Sequence, residues 1–316
     1  MKYFLIWLAI LCFLIILFPL CLNVSFHSGR NEKNAGEQDR TDVYLVSDDK
    51  VVTMNTEDYI RGVLMAEMPA EFEEEALKAQ AVAARTYMVQ KRSVNTDKSV
   101  HKGADVCTDP SHCQAYVKDS EANKKWGKNA SLYFKKCKNA VESTQGIIAV
   151  HENEPIKAVF HSISGGRTEN AEDVWGSEVA YLKSVESPGE ESAPKYRTKV
   201  TVTLDEFKTK LKEAYGVDFS PGLVGETVRS EGGNVLTIEV GNKILKGTDI
   251  RKTFSLASSD FEVSAEGDKV IFSVLGYGHG VGMSQYGANH YAKEGYDYKQ
   301  ILKTYYQGIE FKSMYE

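Results

Sequence analysis

GVLMAEMPAEFEEEALKAQAVAARTY, Gly62 to Tyr87, is the stretch on which the reading of this chain turns. Two helices meet in it. TEDYIRGVLMAEM predicts the first, capped by Asn55 or Thr56, with acids in its first turn. Pro69 stops it, because the residue before a proline avoids helical geometry. The second helix starts near Glu73, and Glu73, Glu74 and Glu75 sit where the helix dipole favours negative charge. Alanines at 76, 79, 81, 83 and 84 surround that helix with small side chains, so it can be packed closely on every side. Gln80, Arg85, Thr86 and Tyr87 then become polar groups in a crowded place, where each needs a partner or a function.

Periodicity separates the glutamates of this stretch. Ile60, Val63 and Leu64 form an apolar face on the first helix, and Glu67 is the next position on it. Glu71, Glu73, Glu74 and Glu75 occupy a linker and a helix start, where solvent suits them. Glu67 therefore reads either as one half of a salt bridge with Arg61 or Arg85, or as a carboxyl held against an apolar wall. In the second case desolvation raises its pKa, the property a general acid needs.

Working outward, Val43 to Met54 reads as two strands turning at Asp48–Lys50. Val141–Val150 and Ile156–Ile163 alternate as strands, and Ser164–Gly176 is a loop. KVTVTL predicts a strand, LDEFKTKLKEAYG a helix ending at Gly216, and NVLTIEV with KILKGT a hairpin around Gly241-Asn242. Residues 199–253 thus form a candidate small inserted subdomain. FEVSAEGDKVIFSVL is a further hairpin, leading to GYGHGVGMSQYGA and helices from Ser284 and Asp297. No internal repeat is present. The expected class is α+β, with strands and helices around a central buried Ala-rich helix, an inserted subdomain and a substrate cleft.

The first 42 residues stand apart. Lys2 precedes an apolar run from Tyr3 to Leu22, about the ~20 residues a bilayer-spanning helix needs. It lacks a small-x-small cleavage site, which favours an uncleaved anchor (residues 1–22) over a signal peptide. The preceding charge places the N-terminus in the cytoplasm. Asn23–Asp42 is polar and aperiodic, a flexible tether, so residues 43–316 form an extracytoplasmic folded part. With 316 residues the core is ample, and a net charge of -6 argues against nucleic acid as the main partner. Seventeen tyrosines suit sugars or peptides better than phosphates.

Of five cysteines, Cys12 and Cys21 fall in the apolar run, leaving Cys107, Cys113 and Cys137. That odd number argues against a disulfide framework. HKGADVCTDPSHCQAY supplies His101, Cys107, His112 and Cys113, enough thiolate and imidazole to hold Zn2+. A Cys107–Cys113 disulfide and two inert thiols are the other readings. The glycines of GYGHGVGMSQYGA match neither a dinucleotide nor a phosphate loop, and Ser284 caps the following helix. SGGRTENAEDVW brings Ser164, Glu169, Glu172 and Asp173, among which a second carboxylate could be found.

Three segments, GVLMAEMPAEFEEEALKAQAVAARTY, SISGGRTENAEDVWG with YLKSVESP, and GYGHGVGMSQYGA, occur in the order found in the stage II sporulation protein D family of cell-wall enzymes. The resemblance covers essentially all of the chain beyond the tether. It implies a lytic transglycosylase, which cuts the MurNAc–GlcNAc bond of peptidoglycan glycan strands without water and leaves a 1,6-anhydro sugar. It implies a preference for peptide-free strands. It also implies work during sporulation engulfment beside an amidase and a membrane partner, from the mother-cell membrane facing the intermembrane space. The E-M-P glutamate, Glu67 here, is expected to be catalytic. Ser164, Gly165, His279, Ser284, Gln285 and Tyr286 are expected in the glycan cleft, with Gln80, Arg85 and Tyr87 counted alongside them. Some members carry a metal-binding cysteine pair, which favours Cys107 and Cys113 as ligands and leaves His112 and His101 open. Two alternatives stand beside this reading. One is a non-catalytic amidase enhancer of the same family, which the presence of Glu67 argues against. The other is a zinc-dependent hydrolase, for which no H-E-x-x-H motif exists.

Overall fold

The computed structural model describes residues 39–94 and 98–315. The apolar run Tyr3–Leu22 lies outside them, as does most of the tether. Among the described residues no helix is long and apolar enough to cross a membrane.

The chain enters through strands β1 (Arg40–Leu45) and β2 (Lys50–Asn55), followed by helices α1 (Thr56–Glu67) and α2 (Glu74–Ser93). Asn55, not Thr56, is the α1 cap, its side chain accepting from the Glu57 and Asp58 amides. Strand β3 (Val106–Cys107) pairs parallel with β1, Val43 opposite Val106. Helices α3 (Ala122–Trp126) and α4 (Ala130–Glu142) follow, then β4 (Ile147–His151), β5 (Glu154–Pro155), β6 (Phe160–His161) and the short helix α5 (Ala171–Trp175). Helix α4 corrects the strand expected from Val141, which is in fact its last turn. Ala130, Tyr133, Phe134, Cys137, Ala140 and Val141 repeat at helical spacing and turn inward.

A lobe then departs from this body. It comprises β7 (Arg197–Thr203), α6 (Leu204–Tyr215), β8 (Val224–Arg229), β9 (Val235–Val240), β10 (Lys243–Lys246), α7 (Gly247–Phe254), β11 (Phe261–Glu266) and β12 (Lys269–Leu275). Two antiparallel three-stranded sheets, β10-β9-β8 and β11-β12-β7, enclose a separate core of Phe207, Leu211, Phe254, Phe261 and Phe272. The lobe is wider than residues 199–253, because the sheet partner of β7 is β12, with Val200 opposite Phe272. The chain returns through β13 (Met283–Ser284), α8 (Gln285–Lys293), α9 (Tyr298–Tyr305) and β14 (Glu310–Ser313).

Helix α2 is the axle of the body. Ala76, Ala79, Ala81, Ala83 and Ala84 are all fully buried, which lets α1, α4, α8, α9 and β4 close on it from several directions. The architecture is α+β.

Candidate active site and metal centre

Glu67 is the last residue of α1, with Met68 already extended before Pro69. Ile60, Val63 and Leu64 on the same face are fully buried. The Glu67 carboxyl is half-buried and accepts one hydrogen bond, from the Ala115 amide to Oε1 at 2.7 Å. Burial pushes its pKa above the usual carboxylate range, outweighing the Ala115 N–H and the charge of Lys125, which pull it down. Neither candidate salt bridge forms. Arg61 pairs with Asp58 at 2.8 Å and with Asp119, and Arg85 pairs with Glu57. The remaining glutamates are ordinary charge. Glu74 and Glu75 reach Lys78 at 3.0 and 2.8 Å, while Glu71 and Glu73 are exposed.

The amide that holds Glu67 is positioned by a glycine. A Cβ on Gly62 would lie 2.1 Å from the Tyr116 ring, so only glycine lets that ring rest on α1. Val117 donates to the Gly62 carbonyl at 3.1 Å, and the 115–117 segment runs along the helix to Glu67. Five residues on from the acid, Phe72 meets Tyr286 of α8 edge-to-face at 4.9 Å, which brings Tyr286 to the turn that follows α1.

The other expected cleft residues divide. Arg85 is corrected outright. It is fully buried, its Nε donates to Glu57 Oε1 at 2.9 Å, and it braces the carbonyl of Ile147 at 3.1 Å. Gln80 is fully buried as well, accepting from Gln285 at 3.4 Å and so joining α2 to α8. Tyr87 is turned inward, its hydroxyl on the His112 carbonyl at 3.4 Å. Ser284 caps α8 through the Gly287 amide at 3.3 Å. The Gly-rich segment and the Ser164 loop do meet. Ile163 and Tyr277 exchange backbone hydrogen bonds, β6 pairs with β13, and Glu169 donates its amide to the Gly280 carbonyl at 2.8 Å. His279 lies between Trp175 at 5.3 Å and His161 at 5.6 Å, and burial pushes its pKa down to about 4.

Ser164 does not present its hydroxyl to a cleft. It donates to Glu190 at 2.8 Å, as Ser187 does at 2.5 Å, and Tyr305 stands behind Ser187 at 2.8 Å. Glu190 is 1% exposed and carries no periodic or motif signal in the sequence. Of the candidate second acids, Glu172 is exposed and Asp173 accepts from Asn170 at 2.9 Å. Glu169 is buried towards the lobe, taking the Asn234 amide at 2.9 Å.

His101, Cys107, His112 and Cys113 converge, with all four donor atoms within 4.8 Å of one another. His101 Nε2 and His112 Nδ1 are 2.8 Å apart, and Cys113 Sγ lies 3.4 and 3.5 Å from them. Cys107 Sγ is 3.7 Å from His112 Nδ1. Bond lengths of about 2.3 Å to sulfur and 2.0–2.1 Å to nitrogen put tetrahedral zinc donors roughly 3.3–3.8 Å apart. The three sulfur–nitrogen distances fall in that range, while the two imidazole nitrogens, hydrogen-bonded at 2.8 Å, would have to part by about half an ångström around an ion. Both cysteines are free thiols here, as is the buried Cys137, whose pKa burial pushes up to about 12. Hydrogen bonding from the Cys113 thiol pushes Cys107 down, and the same bond pushes Cys113 up, so the two sulfurs share one proton between them. From Cys113 the chain needs only Gln114 to reach Ala115, the donor to Glu67.

Residues 46–151 match the family model described as Stage II sporulation protein. The chain is 40% identical to Stage II sporulation protein D of Bacillus subtilis (strain 168), over 98% of this chain and 96% of that protein. It is 43% identical to Stage II sporulation protein D of Bacillus amyloliquefaciens, over 85% of this chain and 77% of that one. It is also 30% identical to the protein named Amidase enhancer of Bacillus subtilis (strain 168), over 80% of this chain and 40% of that protein.

Proposed function

The chain belongs to the stage II sporulation protein D family, a sporulation family, and on that premise we propose that it is a peptidoglycan lytic transglycosylase with Glu67 as its acid and base. The observation that carries this is the setting of Glu67. It is a half-buried carboxyl at the end of an apolar helix face, held by one amide and, among the described residues, paired with no cation. Protonated Glu67 gives its proton to the glycosidic oxygen as the bond to C1 of the muramic sugar breaks. The resulting carboxylate takes the proton of the C6 hydroxyl of the same sugar, and O6 closes on C1. One residue is acid and then base, so no second carboxylate is needed as nucleophile, unlike the paired-carboxylate scheme.

The Cys107, Cys113, His101 and His112 set would hold Zn2+. Four protein donors close a tetrahedral ion, which suits a structural metal and speaks against a hydrolase built on metal-bound water. Held by these four residues, an ion would tie down the loop that leads through Gln114 to the Ala115 amide. The Tyr3–Leu22 run would anchor the protein in the membrane, with the folded part acting on glycan strands beside the engulfment amidase.

The similarity to a protein named Amidase enhancer supports a second reading, a non-catalytic module that binds an amidase. Mass spectrometry of peptide-free glycan strands incubated with the protein separates the two. Transglycosylation yields anhydro ends lighter by one water than a hydrolysis product. Unchanged strands favour the enhancer reading, and reducing ends would mean hydrolysis.

A further inference from the structure

Between Lys118 and Lys138 the chain carries seven lysines against two acids, an excess of positive charge in a chain whose net charge is -6. Most of these side chains point to solvent, and Lys118 and Lys138 pair with Asp48 and Glu142. Lys125 and Lys136 are placed differently. Lys125 Nζ donates to the Ala66 carbonyl at 3.4 Å, one residue before Glu67. Lys136 Nζ donates to the Glu71 carbonyl at 3.2 Å and to that of Phe72, on the turn just beyond. The two therefore bracket the acid along the chain. Neither has a carboxylate within ion-pair distance among the described residues. An ammonium group has three N–H donors. Lys125 spends one on protein and Lys136 two, so each keeps a donor for a ligand. Trp126 and Tyr133, edge-to-face at 5.7 Å and half-buried, belong to the same wall, and Tyr133 lies near Glu71.

Two ammonium groups with spare donors, beside aromatic rings and next to the candidate acid, make a seat for an anionic sugar. We propose that Lys125 and Lys136 bind the carboxylate of the sugar whose bond Glu67 cleaves, so that the enzyme reads whether that acid is free. The inference rests on the glycan-strand reading above and gives it a specificity device. The lactyl group of a muramic sugar is a neutral amide while a stem peptide is attached and a carboxylate once the peptide is gone. Charge-assisted hydrogen bonds from two lysines distinguish those states, whereas the aromatic wall meets either sugar alike.

The test uses the full-length Glu67→Gln protein, which holds strands without cutting them. The probes are peptide-free strands and the same strands with lactyl carboxyls converted to methylamides. The free-acid strands are expected to bind roughly tenfold more tightly, and the margin should shrink as salt rises. Adding Lys125→Met with Lys136→Met should erase the margin by weakening only free-acid binding, and Lys125→Arg with Lys136→Arg should restore it. A margin that survives the Met pair overturns the proposal. So does an equal loss on both probes, which means the lysines only cap the helix end and turn, and so does failure to bind either probe. Cleavage chemistry is read separately, from the product ends made by the wild-type protein, so a failure there leaves this binding result interpretable.

Discussion

Glu67 and Glu190 are the same side chain under the same pressure, yet the fold treats them differently. Burial raises the pKa of both. Glu67 is only half-buried and has one amide donor. Glu190 is 1% exposed, and the Ser164 and Ser187 hydroxyls converge on one of its oxygens. Its partners come from the 164 loop and its own turn, with Tyr305 of α9 behind them, so it ties three segments together. Desolvation alone therefore does not mark a working acid. What sets Glu67 apart as the proposed acid is a raised pKa together with few partners and a half-buried setting.

The comparison breaks most easily on activity. Glu67→Gln keeps the shape and removes the titrating proton. It should cut peptide-free strands at least ~100-fold more slowly while binding them normally. Glu190→Gln should leave turnover within a few-fold. If both variants lose activity equally, the distinction drawn here between a working and a structural carboxyl fails.

The proposed metal site bears on the contrast next. The purified protein should carry about one zinc per chain, and Cys107→Ala should lose it, as metal analysis would show. Without an ion the segment carrying the Ala115 amide would keep its hold on Gly62 but lose its tie on the Cys113 side, so turnover should fall by about tenfold, with a drop in thermal midpoint. Full activity in a metal-free Cys107→Ala protein would detach the metal from Glu67. The Lys125 and Lys136 pair, with its roughly tenfold effect confined to free-acid strands, tests the surroundings of the same acid.

Some of this contrast is legible in the sequence. Glu67 stands out because it interrupts an apolar helical face, and α2 because its alanines leave no polar side. The lobe's hairpins announce themselves through Gly241-Asn242 and alternating strands. Glu190 carries no such signal. It lies in an aperiodic stretch, and its role comes from Ser164, 26 positions away in the chain, and from Tyr305 behind Ser187. Arg85 misleads for a related reason. A helix of small residues tells which side chains are crowded but not what faces them, and the partner is Glu57, an acid that reads as a first-turn charge. Helix α4 carries its helical spacing openly in Tyr133, Phe134, Cys137 and Val141, but its lysines make it look like a solvated stretch. The candidate metal set is readable as two histidines and two cysteines within thirteen residues, while its link to Glu67 depends on Tyr116 settling over Gly62.

The smallest expected effect concerns stability and pH. Burial raises the folded-state pKa of Glu190, although the hydroxyls of Ser187, Ser284 and Ser164 favour its charged form. A carboxyl with a raised folded pKa binds its proton more tightly in the native state than in the unfolded chain. Its contribution to stability is thus fully present below the unfolded value, near 4.3, and is lost as pH rises through the folded value. Glu190→Gln does not titrate, so the difference in thermal midpoint between wild type and variant isolates this term. Wild type should gain on the variant as pH is lowered from 7 towards 4.5. The gain should be on the order of a degree or two, given that about 1 kcal/mol moves the midpoint of a protein this size by roughly 2–4 °C. A difference that stays flat across that range would mean the hydroxyls, not burial, set the state of Glu190. A difference running the other way would make Glu190 an ordinary stabilised carboxylate and leave Glu67 without its structural counterpart.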